Sequence, residues 1–299
     1  MALRRTRDSK QAETRQAAEG SGGGRGNRAA VGCFMTAHSK NVEERAFGAK
    51  CLVAAALPYR DPKPEQLVNG AWVRQNGDYT LWVQGGPLGL PYGTYPRIFV
   101  IWLTSEAVRT GNKRIVTGGS FSEFCRKLNI DRSRGKNGAG RRMVEQAERL
   151  LSSRVGIEST RNEITNKQQL CFSDEHNLFR SGSMFESEIV LTDKFFKEIT
   201  EHCIPIDLRA VSALRESAFA LDIYQWLAYR MFSLRRQAHP TWQQLNAQFG
   251  ASFERIIDFR KAFLRTLPSV LQQYPGARVV QTDSGLRLLP SPTVVPRLE

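Results

Sequence analysis

Leu88-Gly89-Leu90-Pro91-Tyr92-Gly93-Thr94-Tyr95-Pro96-Arg97, continued by Ile98 to Arg109 and on to Ile115, is the stretch whose reading decides the fold. Pro96 sits where a helix would start, at a position that needs no backbone N–H. Ile98 to Leu103 is apolar almost all round, so the helix is expected to be buried on most of its faces. Ser105, Glu106, Arg109 and Thr110 return it to solvent, and Gly111 stops it. Arg114-Ile115-Val116-Thr117 reads as a short strand. Ser120 caps a second helix, Phe121 to Leu128. A glycine-rich basic loop follows, then a third, amphipathic helix from about Gly140 to Ser153.

Beyond it, Val155 to Ile164 and Lys167 to Phe172 are expected to pair as a hairpin around Asn166. Helix, short strand, helix, turn, helix, hairpin is the order of a winged helix, which reads DNA with its third helix. Residues 173–183 read as loop, Ser187 to Leu191 as a strand, and Asp193–Glu201 as a helix capped by Thr192. Ile204-Pro205-Ile206 reads as a break. Working upstream, Asn76-Gly77-Asp78 marks a hairpin between residues 71–75 and 79–84, a small β addition to this first unit.

The order then repeats. Leu208 to Leu234 is helical, broken near Glu216-Ser217, and Thr241-Trp242 opens a short helix to Phe249. Gly250 turns the chain, and Ser252 is expected to cap a long helix to Gln273. A hairpin around Asp283-Ser284-Gly285 follows. The fold class is therefore α+β, mainly helical: two tandem winged-helix domains, residues 46–203 and 204–299, with a small N-terminal β addition. Residues 1–45 are polar, basic and glycine-rich, and read as a disordered basic tail.

The formal net charge is +14, and such a surplus points to a polyanionic partner, nucleic acid or an acidic surface. The apolar run Cys51 to Leu57 is too short to span a bilayer, so no membrane partner and a cytoplasmic location are expected. Five scattered cysteines with no Cys-x-x-Cys pair argue against a zinc site or a disulfide framework. No phosphate-binding glycine loop, two-metal acidic cluster or catalytic histidine arrangement is present, so neither enzyme activity nor a cofactor is expected.

The residues proposed to touch DNA follow from the two third helices. In the first, Met143, Val144, Ala147, Leu150 and Leu151 share one side. Arg141, Arg142 and Arg149 fall on the other with Glu145 and Glu148, and Arg134 and Lys136 lie just before. The same face is equally readable as a solvated one tied by Arg141–Glu145–Arg149 pairs. The hairpin adds Arg161 and Lys167. In the second long helix Ile256, Phe259, Phe263, Leu267 and Val270 face the core, Lys261 and Arg265 face out, Arg260 sits at the boundary and Arg255 near the start. Arg278 opens the last hairpin.

Several separate motifs carry a resemblance. They are Leu57-Pro58 with Arg60-Asp61-Pro62; Arg74-Gln75-Asn76-Gly77; Gly89-Leu90-Pro91-Tyr92-Gly93 with Pro96-Arg97; Thr104-Ser105-Glu106-Ala107-Val108-Arg109-Thr110; Ser187-Glu188-Ile189 with Phe195-Phe196; Pro205-Ile206-Asp207-Leu208-Arg209-Ala210; and Ala220-Leu221-Asp222 with Tyr224-Gln225-Trp226. In this order, over residues 50–290, the chain resembles the RepA-type bacterial plasmid replication initiators. The resemblance implies sequence-specific binding to direct repeats (iterons) in double-stranded origin DNA and opening of nearby duplex. It also implies recruitment of the host replication initiator and replicative helicase, homodimer formation, and no enzyme activity. Asp131 to Gly140 departs from the family pattern in being more basic and glycine-rich. A winged-helix repressor acting on its own operator is the alternative, and palindromic rather than tandem target sites would mark it. An RNA-binding structural protein is disfavoured by the lack of a stacking-aromatic motif.

Overall fold

The structure is a computed structural model that describes residues 45–54, 57–76, 79–135, 137–161, 164–178 and 187–295. Residues 1–44 of the expected N-terminal tail, the turn residues Gly77 and Asp78, and Lys136 fall outside these, whereas Arg45, expected as the end of the tail, is in a strand. Arg45–Ala49 forms β1 and Lys50–Ala54 a short helix, α1. Ala71–Asn76 (β2) and Tyr79–Gln84 (β3) make the expected hairpin. Thr94–Thr110 is α2, the helix of the opening stretch. Every residue from Pro96 to Thr104 is buried, as its unbroken apolar run requires. Gly111 ends it in the left-handed conformation at φ 61°, donating its N–H to the Ala107 carbonyl.

Arg114–Gly118 is β4, and Phe121–Lys127 is α3, capped by the Ser120 hydroxyl accepting from the Glu123 N–H. Ala139–Leu151 is α4, with Met143, Ala147, Leu150 and Leu151 inward as their spacing demands. Arg154–Arg161 (β5) and Ile164–Cys171 (β6) are the hairpin, but its turn is not at Asn166. That residue is paired with Ser159 inside the ladder, whose closing pair is Arg161–Ile164, so the turn comes three residues earlier than expected. Ser173–Asn177, expected as loop, is strand β7; it pairs antiparallel with Ser187–Leu191 (β8), which also pairs with β4. A polar segment can be a strand when it sits at a sheet edge.

Asp193–Glu201 is α5, capped by Thr192. The expected break at Ile204-Pro205-Ile206 is instead strand β9, Cys203–Asp207, in register with β1. Proline is tolerated there because the two-stranded sheet leaves it an edge. Leu208–Leu214 (α6), Ala218–Ser233 (α7) and Trp242–Phe249 (α8) follow, with Ser217 and Thr241 as side-chain caps of the last two. Ile256–Gln273 is α9, which begins after Arg255 rather than at Ser252 and leaves its start without a side-chain cap. Arg278–Gln281 (β10) and Leu286–Leu289 (β11) close the chain as a hairpin.

The molecule is thus mixed α/β, with helices around several small antiparallel sheets. The N-terminal hairpin, expected as an addition to the first unit, joins the later hairpin edge to edge in a sheet ordered β2-β3-β5-β6. The two copies of the helix order differ in their strands. In the second, Ala238 exchanges both backbone hydrogen bonds with Leu288 of the closing hairpin. In the first, β4 turns away from its hairpin to β8. One apolar cluster runs through both halves, from Phe99, Trp102 and Phe124 to Trp226, Phe249, Phe259 and Phe263.

Candidate nucleic-acid interface

The residues expected to meet DNA are set out on two helices. Before α4, the glycine-rich loop folds back on the helix start. The Ser133 hydroxyl accepts from the Ala139 N–H at 3.0 Å, and its carbonyl accepts from the Arg141 N–H at 3.3 Å. A Cβ on Gly138 would lie 2.2 Å from that carbonyl, so only glycine permits the approach. Hydrogen bonds from Ser133 hold the Asp131 carboxyl below its usual pKa. The loop presents Arg134, exposed, with its guanidinium 4.0 Å from the Phe121 ring centre.

On α4 itself Arg141 and Arg142 are exposed. Arg142 donates to the Asn137 carbonyl at 2.7 Å, which holds it at the helix start. Arg149 departs from the expected surface. Its side chain is only 14% exposed, pairs with Glu145 at 2.8 Å and Asp61 at 3.6 Å, and donates to the Leu90 carbonyl. The Tyr92 ring packs beneath it at 5.2 Å. This arginine fastens the opening loop to α4. Gln146, buried beside it, accepts from the Tyr92 N–H at 2.8 Å, a contact that apolar periodicity cannot reveal. Lys167 pairs with Glu158 directly across the hairpin at 3.2 Å. Arg161 ends β5, and Lys136 lies outside the described residues.

On α9, Lys261 and Arg265 are exposed one turn apart, as their spacing predicts. Arg255, 74% exposed, holds Asp258 at 2.6 Å; that hydrogen bond raises the arginine's pKa and lowers the carboxyl's. Arg260 is drawn toward the core, its guanidinium 5.2 Å from the Trp242 ring, as its boundary position implied. Arg278 donates to the Pro290 carbonyl on the closing hairpin. Arg287 is a further exposed cation on this hairpin. It faces out across from Val280, and its signal was the alternation of Leu286 and Leu288 inward around it.

The helices against which α4 and α9 pack, α2 and α7, share one buried joint. Arg97 on α2 makes a two-pronged pair with Asp222 on α7, both contacts 2.7 Å. Its remaining donors reach the carbonyls of Leu57, Pro58 and Gly93. Burial alone would lower the Arg97 pKa, but the charge and hydrogen bonds of Asp222 outweigh it and raise it. Tyr59, beneath the guanidinium, has its pKa driven far up, first by burial and then by the Asp222 charge. Nearby, the Tyr224 hydroxyl accepts from the Asp207 N–H at 3.0 Å. Arg74 of β2 donates to the Asn246 and Ala247 carbonyls at the end of α8, at 3.1 and 2.6 Å.

Leu57-Pro58, Arg74, Gly93, Arg97, Asp207, Asp222 and Tyr224 all belong to the motifs that carried the resemblance. The family pattern therefore records mainly the joint and frame, and α4 is held by the same opening loop. The family model described as plasmid-encoded RepA protein matches residues 90–244, just over half of the chain and everything from α2 into α8. Neither a curated protein nor a solved structure matches. With the matched stretch carrying both sides of the Arg97–Asp222 joint, the chain belongs to the family of plasmid-encoded RepA proteins, the RepA-type plasmid replication proteins.

Proposed function

We propose that this chain initiates replication of its plasmid by binding double-stranded DNA at tandem direct repeats of the origin. In this reading α2–β4–α3–α4 with the β5–β6 hairpin, and α7–α8–α9 with β10–β11, are two winged-helix domains, and each lays its third helix in a major groove. The observation that supports it is this repetition, with exposed cations on the third helix both times: Arg141 and Arg142 on α4, Lys261 and Arg265 on α9. The Ala238–Leu288 bridge supports it for the second copy, since it sets one residue of the segment between α7 and α8 against the hairpin. The +14 charge supplies long-range attraction to phosphate. Host initiator and replicative helicase, as recruited partners, come from the resemblance. The chain works by binding DNA and not as an enzyme.

The geometry of the site tests this reading. Two unlike domains joined through a short connection read two unlike half-sites in fixed order, about one turn or roughly 10 bp apart. One molecule is expected on each asymmetric site of about 20 bp, with several molecules head to tail on a tandem array. Footprinting with a titration of bound mass on a single site measures it. Obligate binding of two copies to a palindrome, with only residues after 204 protecting DNA, makes the chain a repressor instead.

A further inference from the structure

The start of α9 is built unlike the starts around it. Ser120, Thr192, Ser217 and Thr241 cap their helices with a side-chain oxygen, and α2 and α4, which have no side-chain cap, start on Gly93 and Gly138, a residue type tolerated there; α9 has no side-chain cap and starts on Arg255. Its first turn exposes two large apolar residues in succession, Ile256 at 38% and Ile257 at 59%. Spacing puts Ile256 on the core face; in the structure it is partly exposed and lies outside the apolar cluster. Single exposed isoleucines are ordinary. A β-branched pair opening an uncapped helix contributes little to stability, and such local departures from good helix design concentrate at functional surfaces.

Position narrows what that surface meets. Ile257, Lys261 and Arg265 are four residues apart, so the isoleucine heads the same outward stripe that the two cations continue. Arg255, tied to Asp258, flanks it. Cations along the stripe fit phosphate; they do not explain the apolar head. In a major groove the N-terminal residues of a reading helix meet base edges, and the apolar group those edges offer is the C5 methyl of thymine.

We infer that Ile256 and Ile257 are specificity-determining residues that read thymine methyl groups in the target DNA. The inference rests on the reading of α9 as a DNA-reading helix. It requires the target to carry thymine where the first turn of α9 meets it, and it makes the methyl, not a hydrogen bond, the feature recognised.

The test exchanges the methyl on both sides. DNA flanking the chain's own gene is amplified with dTTP or with dUTP, which removes every thymine methyl outside the primers. Binding of the full chain to each is measured against unrelated DNA of the same length. A buried methyl contributes about fourfold in affinity, so two contacts predict roughly fifteenfold tighter binding of the thymine form. The Ile256→Ala/Ile257→Ala variant, two exposed changes to a better helix former, is expected to bind both forms alike, near the level of the parent on uracil DNA. Circular dichroism of the variant shows that the fold is kept. Equal affinity of the parent for the two forms, or a variant that retains the full preference for thymine, overturns the inference while selective DNA binding stands. No preference of the parent for the flanking DNA over unrelated DNA overturns both the inference and the initiator reading.

Discussion

Arg97 and Asp222 show how much one pair decides. Arg97 is 4% exposed and Asp222 11%, so each charge depends on the other for its solvation. Asp222→Ala leaves a buried guanidinium without a counter-charge and is expected to cost about 3–5 kcal/mol, measured by urea unfolding. A variant as stable as the parent removes the joint from the account of the fold. The buried tyrosines make a second prediction. Tyr59 and Tyr224 have pKa values raised by burial, and burial pushes Tyr274 up to about 12. Native chains then keep these protons where unfolded chains lose them. Stability is full below about pH 10 and falls as pH rises through the folded values, so melting temperature should drop steadily above pH 10. Cys125, buried with its thiol pushed up to about 11, should resist iodoacetamide at neutral pH in the native state, whereas exposed Cys171 reacts.

At the scale of elements, α4 and α9 look alike in sequence but use their cations differently. Arg149 is spent within the fold, whereas Lys261 and Arg265 remain on the surface. Lys261→Ala and Arg265→Ala should weaken binding to every DNA sequence alike. Each should also lower the steepness of the salt dependence by about 0.9 for every phosphate it no longer neutralises. Unchanged affinity and slope at moderate salt would put DNA on another face. Arg149→Ala should behave oppositely: a loss of stability, through the contacts to Leu90, Tyr92 and Asp61, before any specific loss of DNA affinity at temperatures where the variant is folded.

At the scale of the whole molecule, the two helix repeats do not stand apart. β1 pairs with β9, Arg74 of β2 reaches the end of α8, and Ser105 of α2 accepts from the Phe47 N–H at 2.9 Å. With one apolar cluster through both, urea should unfold residues 45–295 in a single transition, the same by tryptophan fluorescence and circular dichroism. Two separated transitions would mean that the halves are independent.

Most of the helices were legible in the sequence. Apolar runs, capping residues and glycine stops are local facts, so α2, α3, α5, α7 and α8, with the Ser120 and Thr192 caps and the Gly111 stop, could be read from neighbouring residues. Composition and ordered motifs were also enough for the family. Only the tertiary structure decided what pairs across distance. Ser173–Asn177 is a strand because β8 lies beside it, and Cys203–Asp207 is a strand because β1 does. Arg149 is a structural residue because Asp61 and Tyr92 arrive from elsewhere in the chain. Apart from Glu145, whose pair with Arg149 the i, i+4 spacing shows, nothing within a few residues of these encodes their partners. Hydrogen-bond ladders and buried charge pairs are settled by which distant groups meet, and that information resides in the packed core as a whole.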